Sequence, residues 1–299
     1  MKSKVFITGI TGCVGHYLFD LLASNPDYQL YLLARQPQKM MRSLSGSTVI
    51  QDGMSNIGKY ADLLKDMDHV VHVAAGWGET EANYDHTIEL FNLLDPHKCQ
   101  KVIYFSTASI LDNSNQLVEK VGQIGTSYIK GKYLCYKKLP QLKIYDRLIT
   151  LFPTWVLGGD KSHPYSHAML GIEGAVKWLR LLRFLTVDLS FHFIHARDIA
   201  QIAAYLLRTE IKGKEFVLGQ PLITADRLIG EMCDHYHLRR YFRVKLDPLW
   251  VKTLAPLFGK KLSDWDLYSL AKKNFSYNVV GPESFGLKSE FKTIKDVLK

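Results

Sequence analysis

Two tyrosine–lysine pairs have a spacing suited to proton chemistry, Tyr128 with Lys132 and Tyr133 with Lys137. On a helix, residues i and i+4 share one face. A tyrosine that exchanges a proton with a carbonyl or alcohol must be able to titrate near neutral pH. A neighbouring ammonium favours the phenolate and lowers its pKa. In a lysine-rich chain with 16 tyrosines the spacing alone discriminates poorly. Gly125-Thr126-Ser127 reads as an N-cap ahead of the first pair and favours it. The plain alternative is a helix that merely exposes a tyrosine and a lysine.

A second constellation opens the chain. Val5, Phe6 and Ile7 read as a strand buried on both faces, and Gly9, Gly12 and Gly15 follow it. Val14, Leu18, Leu21 and Leu22 then share a helical face that stops at Asn25-Pro26. Such a strand–turn–helix presents backbone N–H groups and a helix dipole to an anion, and the glycines admit a pyrophosphate. A dinucleotide is therefore expected here. A structural βα turn is the alternative.

The elements that must hold these residues alternate through the first half. Strands are expected at 29–34, 48–51, 69–75, 101–105 and 144–151, with helices around 63–64, 83–94 and 127–139. This spacing calls for right-handed crossovers and a parallel doubly wound sheet, an α/β Rossmann-type fold. Pro153, Gly158, Gly159 and Pro164 mark loops. A helix at 195–207 and a strand at 215–218 then return to the pattern. The expected division is a dinucleotide-binding domain over 1–157, rejoined by 187–220, and a smaller, mostly helical substrate lobe over 158–299.

Hydrophobic content of 47% and charged content of 22% are those of an ordinary globular protein. Cys13, Cys99, Cys135 and Cys233 have no paired spacing, so neither a disulfide frame nor a zinc site is indicated. His72, His192 and His195 form no metal set, and satisfied core roles are expected for them. Asp198 reads as a helix N-terminal residue. The N-terminus enters the first strand at once and no apolar run reaches bilayer length, so we expect no signal peptide and no stable membrane insertion. A cytoplasmic protein is expected. The net charge of +9 is scattered, which argues against nucleic acid and for an anionic cofactor. Trp178, Leu181, Leu182 and Leu185, flanked by Lys177, Arg180 and Arg183, read as lobe core or pocket wall, with membrane-surface contact as the alternative.

After the second strand comes Arg35, with Lys39 four residues on and no acid before Asp52. An acid there would bind a ribose 2′-hydroxyl and favour NAD, whereas arginine meets a 2′-phosphate bidentately. NADP(H) is expected over NAD(H), with a solvated loop arginine as the alternative.

Thr8-Gly9-Ile10-Thr11-Gly12-Cys13-Val14-Gly15 follows a TGxxGxxG pattern, and here the chain resembles the extended short-chain dehydrogenase/reductase family. That family includes the NAD(P)-dependent epimerases, dehydratases and dihydroflavonol-type reductases. His72-Val73-Ala74-Ala75 resembles its HxAA motif. Asn83-Tyr84-Asp85-His86-Thr87 resembles its NvxGT, with His86 where glycine is usual. Phe105-Ser106-Thr107-Ala108-Ser109 is similar to its fifth-strand serine motif. Phe193 to Ala200 resembles fvHVxDxA, and Pro153 to Gly158 resembles RPxxxxG with Phe152 in place of arginine. The likeness covers about residues 4–230.

The resemblance implies that Tyr128 is the general acid/base and that Lys132 also holds the nicotinamide ribose. Thr107, or Ser106, would polarise the substrate oxygen. It implies cofactor contacts from Gly9, Thr11, Gly12, Cys13, Val14 and Gly15, from Arg35 and Lys39, and from Asp52 at the adenine. Ala74, Ala75, Gly76, Asn83, Ser106, Pro153 and Trp155 complete that set. Trp77, Trp155 and Trp178 are expected in an apolar substrate pocket. The expected function is NADP(H)-dependent reduction of a carbonyl, or oxidation of an alcohol, on a small apolar molecule, with a homodimer possible. Two alternatives stand: a nucleotide-sugar epimerase or dehydratase holding NAD tightly, and a non-catalytic cofactor-binding protein.

Overall fold

The computed structural model describes residues 2–76, 78, 80–246 and 262–298. The first half runs β1 (Ser3–Thr8), α1 (Cys13–Ala23), β2 (Tyr28–Leu33), β3 (Thr48–Ile50), α2 (Ala61–Lys65) and β4 (His69–His72). It continues through α3 (Thr80–Asn83), α4 (Asp85–Asn92), β5 (Lys101–Phe105), α5 (Val121–Ile124), α6 (Ser127–Lys138) and β6 (Leu148–Pro153). Next come β7 (Trp155–Leu157), α7 (His167–Val176), α8 (Leu179–Leu182), β8 (Leu185–Val187), β9 (Ser190–Phe191) and β10 (Phe193–His195). Then follow α9 (Ala196–Arg208), β11 (Glu215–Leu218), β12 (Ile223–Thr224), α10 (Ala225–His235) and β13 (Val244–Leu246). The described chain ends with α11 (Asp264–Lys272), β14 (Asn274–Phe275) and α12 (Ile294–Val297).

Seven strands form one parallel sheet in the order β11-β6-β5-β4-β1-β2-β3. This is the Rossmann-type α/β fold expected from the strand–helix alternation. The two-residue period of the strands sorts the core. Val5, Ile7, Val71 and Ile103 pack beneath α1 and α9, against Leu18, Leu22, Ile199 and Ile202. Phe6, Val70, Val102 and Tyr104 face the other way, onto Leu90, Phe91, Cys135 and Leu139. Because the strands are parallel, the loops after β1, β2, β4, β5 and β6 gather at one edge. That edge is where an open α/β sheet takes its ligand.

Three boundaries differ from the sequence reading. The fourth strand ends at His72, and residues 73–76 leave the ladder as a loop. The helix expected over 83–94 is broken at Tyr84 into α3 and α4. Ile144 caps a short 3-10 turn, and the sixth strand runs Leu148–Pro153. Ile144 is buried without being in the ladder, so its apolar character marked core and not strand.

A separate core of Leu157, Met169, Ile172, Phe193, Met232 and Ile294 joins the region expected as a substrate lobe to Leu157 and Phe193 of the expected dinucleotide domain. This region is less purely helical than expected. β9 pairs with β12 and β14, and β13 pairs with β8. Strands of two or three residues carry no readable period.

Candidate active site

The first turn leaves no room for side chains at two of its glycines. Gly9 has φ +76°, and a Cβ there would lie 2.5 Å from the Ala74 nitrogen. A Cβ on Gly15 would lie 2.2 Å from the Gly9 carbonyl oxygen. Gly12 is the N-cap of α1, with no side-chain cap and no acid in the first turn. Thr11, Cys13 and Val14 are half-buried on the same turn. Burial, and secondarily Asp160, pushes the Cys13 thiol up to about 12, so it is not a thiolate.

The end of β4 is pinned to this turn through buried polar bonds. Thr8 Oγ1 lies 2.7 Å from His72 Nδ1 and accepts from the Ala74 nitrogen at 3.3 Å. His72 Nε2 lies 3.0 Å from Thr87 Oγ1. Burial, with Lys132 nearby, holds His72 well below the usual histidine range, so it is a neutral strut. The following loop, Ala74 to Gly76, is gripped by buried Asn83. Its Nδ2 donates to the Gly76 oxygen at 2.6 Å, and its Oδ1 accepts from the Gly76 nitrogen at 3.1 Å. Gly131 makes room for this, since a Cβ there would lie 2.7 Å from the Asn83 Cβ. Trp77 lies outside the described residues.

At the end of β5, Thr107 and Tyr128 are brought together, close enough for the Thr107 hydroxyl to favour the ionised Tyr128 phenol. Thr107 Oγ1 also accepts from the Ser109 nitrogen at 3.3 Å, fixing its rotamer. Lys132 is fully buried beneath them. Its Nζ donates to the Phe105 carbonyl at 2.7 Å and lies 4.8 Å from the Tyr104 ring centroid. Ser106 and Tyr104 have buried hydroxyls beside one another that make no hydrogen bond of good geometry. The second pair is structural. Tyr133 donates to Glu119, and Lys137 Nζ lies 3.0 Å from the same carboxylate.

One expectation about acidity is corrected. At Tyr128 burial outweighs any lowering, and the Lys132 ammonium donates to the Phe105 carbonyl. Burial lifts Tyr128 to about 12, with the nearby Thr107 hydroxyl opposing. Burial likewise lowers Lys132 to about 8.

Arg35 is exposed at the end of β2, and its side chain lies over Gly53, where a Cβ would be 3.4 Å from its Cγ. Lys39 ends a 3-10 turn and is exposed. Asp52 is tied into its own loop by Asn56 and the Gly53 nitrogen at 2.7 Å each and by Tyr60 at 2.8 Å. These bonds hold its carboxyl down at about 2, so any adenine contact shares an oxygen already bonded. Pro153 ends β6, and Trp155 stands 38% exposed with its ring 5.0 Å from Phe191. Phe152, in the usual arginine position, is buried in an apolar cluster with Ile129, Tyr133 and Val217. Trp178 is 64% exposed at the N-cap of α8.

His195 and His192 are satisfied core residues, as expected. His195 Nδ1 accepts from the Arg197 nitrogen at 3.1 Å, and His192 bridges the Gln220 oxygen and the Tyr277 nitrogen. Asp198 is more than a helix-start residue, for it accepts from Ser289 at 2.6 Å and from Gln220 at 3.3 Å.

A linkage unseen in the sequence ties α1 to the loop after β7. His163 lies 2.9 Å from both Asp20 and Asp160 and stacks on Tyr17 at 3.8 Å, while Arg42 donates to Asp20 at 2.8 Å. Only the Asp160–His163 spacing was available as a signal. Nothing local points to Asp20, 143 residues away.

The residues present fit a dinucleotide: a glycine turn that admits no side chains, an uncapped helix start, and a buried serine hydroxyl short of a partner. A Tyr–Lys helix beside the fifth strand completes the arrangement of an extended short-chain dehydrogenase/reductase. The profile of the NAD dependent epimerase/dehydratase family matches residues 5–219, and the chain belongs to that family. No curated protein sequence matches it.

Solved structures align over nearly the whole length. WbmG of Bordetella bronchiseptica, in complex with NAD and UDP, gives a TM-score of 0.70 at 16% identity, covering 100% of this chain and 93% of that one. UDP-N-acetylglucosamine 4-epimerase of Methanobrevibacter ruminantium M1, with UDP-N-acetylmuramic acid, gives 0.69 at 17%, covering 100% and 98%. dTDP-glucose 4,6-dehydratase of Bacillus anthracis, with NAD, gives 0.65 at 12%, covering 99% and 95%. At these identities the likeness concerns the fold.

Proposed function

We propose that this chain is a nicotinamide-dependent enzyme acting at a carbinol or keto carbon of a nucleotide-linked sugar, in the manner of an epimerase or dehydratase. The observation that carries the proposal is the juxtaposition of Thr107 and the Tyr128 phenol with buried Lys132, at the sheet edge that also holds the glycine turn. Membership of the epimerase/dehydratase family, and folds shared with enzymes described in complex with NAD and UDP, support the substrate class. The dinucleotide, when bound, supplies the hydride chemistry.

The chain's own residues handle the proton. With a pKa of about 12, Tyr128 is a phenol at neutral pH and can donate to a carbonyl oxygen. Thr107 orients that oxygen and polarises it. Lys132, charged below about 8, places a cation under the site. Taking a proton from a sugar hydroxyl needs the Tyr128 pKa to fall, so that direction should speed up with rising pH.

A second reading is NADP(H)-dependent reduction of a small apolar carbonyl, and Arg35 favours it. This arginine is exposed at the end of β2 with no acid before Asp52, a layout suited to a 2′-phosphate. Exposed Trp155 would offer an apolar wall. Under either reading a small-molecule enzyme of the cytoplasm accords with four unpaired cysteines.

The deciding experiment titrates NADPH and NADH separately, then offers UDP- and dTDP-sugars and a panel of carbonyls with the preferred one. Interconversion of a sugar nucleotide, with thermal stabilisation by UDP, is expected on the first reading. Turnover of carbonyls alone, with NADPH, would replace it by the second. Failure of both panels would favour a non-catalytic cofactor-binding protein. Arg35→Glu should weaken NADPH binding by about tenfold or more and leave NADH binding nearly unchanged.

A further inference from the structure

We propose that the face built by residues 177–184 and 239–245 docks on an anionic lipid surface. Large apolar side chains stand in solvent here: Phe242 is 77% exposed, Trp178 64% and Leu181 57%. They sit on a braced platform. Phe184 stacks on Tyr241 at 5.6 Å, and the Arg183 guanidinium lies 4.9 Å and 5.1 Å from those two rings. Arg183 Nη1 also donates to the Arg239 carbonyl at 3.0 Å, and β8 pairs with β13 beside it.

The charge carried by the platform's own two segments has one sign. Residues 174–187 contain Lys177, Arg180 and Arg183 and no acid, and residues 235–246 contain four Lys or Arg and no acid. Three outer bases are paired by acids beyond these segments, Arg243 with Asp226 at 3.0 Å, Arg240 with Asp234 at 3.4 Å and Lys245 with Asp188 at 3.9 Å. Lys177, Arg180 and Arg239 make no ion pair among the described residues. An exposed tryptophan, tyrosine and phenylalanine set among uncompensated cations matches a bilayer interface. The rings enter the headgroup boundary and the cations meet lipid phosphates. A purely polyanionic partner would leave the apolar exposure unexplained, and an apolar one would leave the charge unexplained. No helix among the described residues is long and apolar enough to cross a membrane, so contact would be peripheral.

Sedimentation of the full chain with vesicles tests this. Binding is expected to vesicles of phosphatidylglycerol mixed with phosphatidylcholine, to fall with added salt, and to be weak with phosphatidylcholine alone. Leu181→Ser with Phe242→Ser, and separately Arg180→Glu with Arg239→Glu, should each lower partitioning by about tenfold or more. Both should keep wild-type melting and cofactor binding, and the single F242S and R180E variants replace any pair that melts early. Absence of binding to the mixed vesicles overturns the proposal. So does binding that the apolar pair leaves unchanged, which would mean general polyanion attraction. A solution dimer that F242S dissociates would also overturn it, by assigning the face to a second copy of the chain.

Discussion

Burial and a hydroxyl partner pull the acidity of Tyr128 in opposite directions, and burial wins. Tyr128→Phe removes the phenol proton beside Thr107 and should lower turnover by roughly 10²–10⁴-fold with cofactor affinity nearly intact, read from steady-state rates and a binding titration. Wild-type turnover in that variant would refute the assignment. Lys132 gives a pH signature. Its pKa is lowered to about 8, so the ammonium is present below that value and lost above it. Carbonyl reduction should therefore fall as pH rises through about 8, and Lys132→Met should abolish that limb of the profile along with most of the rate. The unfolded lysine still binds a proton between about 8 and the ordinary 10.5, so this group makes stability rise with pH across that window.

At the scale of elements, α6 does two tasks. One face carries Tyr128 and Lys132, and Gly131 lets the helix press against Asn83, which holds the loop after β4. Helix propensity by itself predicts that Gly131→Ala is stabilising by up to about 1 kcal/mol. The contact predicts the reverse, because the new Cβ would lie 2.7 Å from the Asn83 Cβ. We expect a loss of about 1–3 kcal/mol in denaturant titrations, together with weaker cofactor binding. A neutral or stabilising effect would mean that the helix does not press on Asn83. Gly15→Ala meets backbone instead of side chain, 2.2 Å from the Gly9 oxygen, and should be the more damaging of the two to cofactor affinity.

Across the whole molecule, buried titratable groups set the response to acid. Burial lowers His195 to about 3, so it folds neutral, and its contribution is lost as pH falls from the ordinary 6.5 toward 3. Asp198 works against this. Burial raises it to about 6, so its contribution is present below the ordinary 3.8 and lost as pH rises through 6. Asp198→Asn, which keeps an acceptor for Ser289 and Gln220, should therefore gain stability relative to wild type at pH 7 compared with pH 4. Melting curves at the two pH values check it. The Asp20–His163–Asp160 linkage joins α1 to the loop after β7 through a buried histidine whose two partly exposed carboxylate partners share their bonds with solvent. His163→Leu should cost only about 1–2 kcal/mol of stability while weakening cofactor binding through α1.

The sequence alone determined the sheet, the glycine turn and the family resemblance. A strand buried on both faces, a glycine turn and an i,i+4 tyrosine–lysine pair are local patterns, each imposed by backbone geometry over a few residues. Tertiary structure decided which tyrosine–lysine pair faces the site, since Tyr133 and Lys137 turn to Glu119 while Tyr128 meets Thr107. It also buried Tyr128, which raises its pKa against the lowering read from spacing, and set the Lys132 ammonium on the Phe105 carbonyl. Burial and the partner of each charge are set by segments distant in the chain, and they outweigh the local pattern because desolvation acts on the whole surroundings of a group.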